Sequence, residues 1–161
     1  SFHDLANKYD LRGIQLTKRH KKNSFKTSWR NFWFRFRKKD LKISTSCHDL
    51  LKLGSYTRKY DYVFLSPVYD SISKNGRNAG YPYGTIKKVL NGIDGDIYAL
   101  GGIDISRIEE VRDLGFKGVA LLGTLWHSGK NPVEQYLKIV EMVNRKNRIK
   151  TIEINPVKIS I

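Results

Sequence analysis

Residues 98–126 read YALGGIDISRIEEVRDLGFKGVALLGTLW, and the fold is decided there. Two apolar runs, IYALGG (97–102) and GVALLG (118–123), bracket the stretch; both are short, aliphatic and without polar alternation. Such runs suit strands of a parallel sheet covered on both faces. Between them, DISRIEEVRDLG (104–115) places Ile105, Ile108, Val111 and Leu114 at helical spacing. Asp104 or Ser106 can cap the helix N-terminus, where a short oxygen-bearing side chain accepts from unpaired amides. Gly115 stands where helices end in a left-handed residue. Strand, helix and strand in succession make a crossover unit of an α/β chain, right-handed by the usual rule.

The same rhythm extends outward. GIQL (13–16), KISTS (42–46) and YVFLSPV (62–68) read as further strands. DLANKY (4–9), CHDLLKLGSYTRK (47–59) and YGTIKKVLNG (83–92) read as helices, with Leu50, Leu51 and Leu53 on one apolar face and Gly92 as a stop. NPVEQYLKIVEMVNRKN (131–147) opens with Asn131 as cap and Pro132 in the first turn, and ends in basic residues that suit the negative helix terminus. Five clear strands emerge, with a strand end at Ser1–Asp4 as a sixth. A (β/α)8 barrel typically takes about 250 residues and rarely fewer than about 200. The reading is therefore a single domain over 1–161 of TIM-barrel type, apparently incomplete. No internal repeat stands out.

Two segments break the rhythm. Within 20–41, FKTSWRNFWFRFRKK (25–39) crowds Trp29, Phe32, Trp33, Phe34 and Phe36 among cations. As an inserted helix it puts Trp29, Phe32, Trp33 and Phe36 on one face, either packed on the core or offered to nucleic acid or a membrane surface. The tail 148–161, RIKTIEINPVKISI, alternates like an edge strand.

Composition bounds the rest. The chain is 40% hydrophobic and 12% aromatic, as a folded globule requires. The single cysteine, Cys47, excludes an internal disulfide framework and points to a reducing, cytoplasmic setting. No run approaches the roughly 18 apolar residues of a membrane span, and no signal-peptide pattern opens the sequence. The net charge of +15 favours acidic partners such as nucleic acid, anionic lipid or phosphorylated small molecules.

Chemistry concentrates at strand ends. YVFLSPVYDSISK (62–74) closes a strand with Ser71, Ser73 and Lys74. Two hydroxyls and an ammonium suit an anion, the alternative being a turn. Gly101 and Gly102 let backbone amides approach an anion, and Gly123 and Thr124 repeat the device one unit later. Either loop alone reads as a tight turn. Loops after consecutive strands read as the phosphate site of an α/β barrel.

HDLANKYDLRGIQL (3–16), KISTSCHDLLKL (42–53), DYVFLSPVYDSISK (61–74) and the stretch 98–126, in this order, resemble the thiamine phosphate synthase family and its close relatives, the thiazole tautomerases. The resemblance spans roughly Ser1 to Trp126. It implies a (β/α)8 barrel that joins a pyrimidine pyrophosphate to a thiazole phosphate, with Mg²⁺ present. Ser71, Ser73 and Lys74 then match a pyrophosphate-binding motif, with Ser in place of the usual Thr, and Ser46 matches a second pyrophosphate hydroxyl. Gly101, Gly102, Gly123 and Thr124 match the thiazole-phosphate loops. His48 matches the tautomerase histidine, since an imidazole suits proton transfer near neutral pH; the alternative is a histidine at a helix start without chemistry. Asp4 corresponds to a Mg²⁺ carboxylate, or else caps the first helix. Cys47 reads as a small buried residue.

The sequence departs from the family in two places. Where the synthases carry a second Mg²⁺ carboxylate, QLTKRHKKN (15–23) offers cations, and Lys18 or Arg19 would neutralise pyrophosphate directly. The first two strand–helix units and most of the third strand are missing from the matched pattern. Open sheet edges would then be covered by the tail, the inserted helix or a partner chain, a homo-oligomer included. Three functions stand: the synthase, a thiazole tautomerase using His48, and a nucleic-acid-binding module built on residues 18–42.

Overall fold

The structure, a computed structural model, describes residues 8–17, 29, 36, 38, 40–69, 81–126, 129 and 131–147. Two compact units divide the chain, Ser1–Leu121 and Leu122–Ile161.

The first unit holds a parallel sheet whose strands lie in chain order: β1 (Gly13–Leu16), β2 (Lys42–Cys47), β3 (Tyr62–Leu65), β4 (Ile97–Leu100) and β5 (Gly118–Ala120). The register pairs Ile14 with Ile43, Thr45 with Val63, and Leu65 with Ala99. Residues in register share a face, so Ile14, Ile43, Thr45, Val63, Leu65 and Ala99 form one side, and all are buried. The opposite side carries Gln15, Ser46, Phe64, Tyr98 and Gly118 and is mostly half-buried. Burial alternates along β1, β3 and β4, whereas β2 buries Ile43, Ser44 and Thr45 in succession, so the expected cover on both faces is met at the centre of β2 and only in part along its neighbours.

β3, β4 and β5 are also shorter than the apolar runs that announced them. β3 stops at Leu65 because Pro67, joined to Ser66 by a cis peptide bond, has no amide for the ladder. β4 stops at Leu100 because Gly101 and Gly102 turn to φ of +93° and +65°.

Asp49 starts the first helical segment, its carboxylate accepting from Leu51 N at 3.0 Å. A 3₁₀ turn over Leu50–Lys52 leads into α1 (Leu53–Thr57). Leu50 and Leu53 are buried in the main core, but Leu51 is 90% exposed, so the three leucines do not share a face. α2 (Tyr83–Asn91) buries Ile86 and Leu90 and ends at Gly92, as its sequence predicts. After β4, a 3₁₀ turn over Ile105–Arg107 runs into α3 (Ile108–Asp113). Asp104 caps this segment, Val111 and Leu114 are buried, and Gly115 takes φ of +99°.

The second unit contains α4 (Gly123–Trp126) and α5 (Pro132–Asn147). Asn131 caps α5, its Oδ1 accepting from Val133 N at 2.9 Å. Gln135 and Ile139 are buried.

Of the basic-aromatic segment 20–41, Trp29 and Phe36 are described, and they are 62% and 73% exposed. The strand end at Ser1–Asp4, most of the first helix and the tail 148–161 lie outside the described residues. No helix among the described residues is long and apolar enough to cross a membrane.

Candidate strand-end phosphate site

All five strands are parallel, so their C-terminal ends meet along one edge of the sheet. At the end of β2, Ser46 lies on the half-buried face opposite Phe64, and its Oγ accepts from Gln15 Nε2 at 3.1 Å. His48 follows and is exposed, with Nδ1 2.6 Å from the Ser66 carbonyl oxygen. A carbonyl only accepts, so Nδ1 carries a proton and donates. Cys47, between them, is buried with its Sγ donating to Asp49 O at 3.1 Å, a packing residue as expected.

The ends of β3 and β4 are bound to each other through backbone. Val68 N donates to Leu100 O at 3.1 Å and Tyr69 N to Gly101 O at 3.2 Å. A Cβ on Gly101 would stand 3.1 Å from Pro67 Cα and 3.4 Å from Ser66 Oγ. Crowding and positive φ both demand glycine there, independently of any ligand. Gly102 O accepts from Arg107 Nη1 at 3.1 Å, and the same guanidinium lies 4.5 Å over the Tyr69 ring. Asp104 accepts from Ser106 N at 2.8 Å and approaches Arg107 Nε at 3.9 Å. The Ser106 hydroxyl, above all, holds the Asp104 carboxyl below its usual pKa. The Tyr69 hydroxyl is buried with no hydrogen-bond partner among the described residues. Burial foremost, then the nearby Glu110 carboxylate, pushes its pKa up to about 12.

Of the residues singled out in the sequence, the first unit brings Ser46, His48, Gly101 and Gly102 to one sheet edge. Gly123 and Thr124 belong to α4 in the second unit. Among the described residues nothing lies within 4 Å of where a Gly123 Cβ would stand, so they do not demand glycine there. Ser71, Ser73, Lys74, Asp4, Lys18 and Arg19 lie outside the described residues. Among the described residues no group of three or more His, Cys, Asp or Glu could hold a metal ion.

Sequence reasoning missed Gln15, Ser66, Tyr69 and Arg107. Ser66 was signalled by the proline after it. Arg107 had no signal beyond its place in the turn after the glycine pair. A cavity of about 230 Å³, lined by Asp94, Asp96, Lys117 and Leu90 among others, lies where β4 begins and takes in none of the predicted site residues.

Residues 3–125 match a family model described as thiamine monophosphate synthase. The thiamine-phosphate synthase of Chlamydia abortus is 29% identical over 93 residues, which cover 58% of this chain and 43% of that protein. The chain thus spans less than half the length of that relative. A thiamine phosphate pyrophosphorylase from Pyrococcus furiosus superposes with a TM-score of 0.61 at 20% identity, over 87% of this chain and 64% of that one. One from Bacteroides thetaiotaomicron gives 0.60 at 24% identity, over 94% and 69%. At these identities the two structures speak for the fold alone.

Proposed function

The chain belongs to the thiamine monophosphate synthase family, and on that premise we propose that it joins a hydroxymethylpyrimidine pyrophosphate to a thiazole phosphate and releases pyrophosphate. One observation carries the proposal beyond membership. The chain leading to Ser71, Ser73 and Lys74 leaves β3 hydrogen-bonded to the Gly101 carbonyl, Tyr69 N to Gly101 O at 3.2 Å. A motif suited to pyrophosphate and a glycine loop suited to phosphate therefore start from adjoining strand ends, as a two-phosphate reaction requires.

In this mechanism Ser46, Ser71, Ser73 and Lys74 hold the pyrophosphate, and the backbone of the Gly101–Gly102 loop holds the thiazole phosphate. The pyrimidine methylene separates from the pyrophosphate oxygen, and the bonding electron pair leaves with that oxygen. The thiazole nitrogen then forms the new C–N bond with its own lone pair. Charge develops on the departing pyrophosphate, so donors aimed at it supply most of the acceleration. Mg²⁺, with Asp4 as its carboxylate, belongs to the same proposal and would neutralise pyrophosphate oxygens when bound. A cytoplasmic setting belongs to it too. The matches are to synthases and favour neither the tautomerase nor the nucleic-acid module.

Thermal melting with thiamine phosphate, and separately with pyrophosphate and Mg²⁺, tests the reading. A saturable rise in melting temperature that Lys74→Ala abolishes is the expected result. No shift with either ligand, alongside strong salt-sensitive binding to RNA or DNA, would move the function to the basic surface.

A further inference from the structure

Ser66 is not among the residues that the family resemblance implicated, yet it stands where three strand ends meet. Its N–H donates to Cys47 O at 3.0 Å and so ties the end of β3 to the end of β2. Its carbonyl accepts from His48 Nδ1 at 2.6 Å. On the other side, a Cβ on Gly101 would come within 3.4 Å of Ser66 Oγ, so the hydroxyl lies beside the loop that ends β4. Ser66 is half-buried and continues the alternation that puts Phe64 on the half-buried face and Leu65 in the core.

Both backbone groups of Ser66 are thus engaged, while its hydroxyl makes no hydrogen bond among the described residues. The other hydroxyls of the sheet differ. Ser44 and Thr45 donate to the Ile14 and Leu16 carbonyls, and Ser46 accepts from Gln15. A serine that served only the local chain would turn its hydroxyl onto neighbouring backbone, as Ser55 does on Lys52 O at 2.7 Å. Ser66 Oγ is left for a ligand, and a hydroxyl donating to a phosphate oxygen makes one of the stronger hydrogen bonds. His48 sets its direction. With the N–H held by Cys47 and the carbonyl by His48, the peptide planes on both sides of Ser66 are fixed, and with them the Cα–Cβ bond. The segment that carries His48 is itself anchored, Cys47 Sγ donating to Asp49 O at 3.1 Å and Leu50 N to the Tyr81 hydroxyl at 3.3 Å.

We propose that Ser66 is a phosphate-binding residue beside the Gly101–Gly102 loop, its hydroxyl donating to an oxygen of the thiazole phosphate, and that His48 is the positioning residue that aims it through the Ser66 carbonyl. This inference rests on the synthase reading. It gives His48 a part in binding that requires no proton transfer.

Isothermal titration with thiamine phosphate, and separately with pyrophosphate plus Mg²⁺, compares the natural chain with Ser66→Ala, His48→Ala, His48→Asn and the double variant Ser66→Ala with His48→Ala. Ser66→Ala should bind thiamine phosphate about tenfold more weakly, the order of one hydrogen bond to a charged group, with pyrophosphate affinity unchanged. Its melting temperature without ligand should match that of the natural chain, because the oxygen removed bonds no described residue. His48→Ala should lose part of the same affinity, and His48→Asn should recover it, since an asparagine amide donates from the place of Nδ1. In the double variant the two losses should not add, because His48 acts through the hydroxyl already removed. Binding by the natural chain with unchanged affinity in Ser66→Ala overturns the inference and leaves the synthase reading intact. A lower melting temperature in Ser66→Ala, or an equal loss for pyrophosphate, assigns the hydroxyl to the fold and overturns it as well. Additive losses, or His48→Asn as weak as His48→Ala, overturn the positioning role. No binding of thiamine phosphate by the natural chain sinks the synthase reading and this inference with it.

Discussion

Gly101 carries two constraints that a sequence shows as one letter. Its φ is +93°, and a methyl group would stand 3.1 Å from Pro67 Cα, backbone that cannot swing aside. Gly101→Ala should therefore cost about 1–3 kcal/mol, read as a lower denaturation midpoint with unchanged slope. Gly123 is the contrast. Among the described residues nothing approaches its Cβ position, so Gly123→Ala should leave the melting temperature of the free protein unchanged and lower the affinity for thiamine phosphate. Asp104 makes a third case. Its cap bond to Ser106 N predicts a loss of about 1 kcal/mol in Asp104→Ala. The carboxyl is held below the usual 3.8, so the folded state favours its ionised form. The contribution is complete above the unfolded pKa and is lost as pH falls through the lowered one. Melting curves for Asp104→Ala and the natural chain should thus stand fully apart above about pH 3.8 and draw together as pH falls below it. The glycine pair and the Asp104 cap were legible because glycine and N-cap aspartate each mark a local backbone requirement. Arg107 was not, because an arginine in a helical turn looks the same whether its head meets water or Gly102.

At the scale of elements, the first helical segment shows where periodicity misleads. Leu50, Leu51 and Leu53 were placed on one apolar face, yet Leu51 is 90% exposed while Leu53 is fully buried. The segment opens as a 3₁₀ turn, and a change of pitch within three residues rotates Leu51 to the outside. Leu53→Ala should lose about 2–5 kcal/mol by leaving a cavity in the main core, whereas Leu51→Ala should stay within about 0.5 kcal/mol; urea denaturation separates the two. Strand positions were legible, since every apolar run became a strand. Their ends were not fully so. Leu65 and Leu100 are as apolar as their neighbours, and what stops each strand is the missing amide of Pro67 or the left-handed backbone of Gly101.

For the whole molecule, the charge of +15 is a term separate from the proposed pocket. Any affinity for DNA or RNA should fall by about 10³–10⁵ between 50 and 200 mM salt if six to ten phosphates are contacted. Lys74→Ala should leave it nearly unchanged, and filter binding across a salt series checks both. The sequence by itself determined the α/β alternation, the order of strands and helices, and the family resemblance that the match over residues 3–125 bears out. These are written in contiguous residues: a helical or extended period, a cap, a glycine pair, two hydroxyls before a lysine. Only the tertiary structure decided that Ser46 sits opposite Phe64, that Tyr69 holds Gly101, and that Arg107 bridges Tyr69 and Gly102. Each of those contacts exists because parallel strands distant in the chain are paired in one register. No local period encodes which strand end will lie beside which.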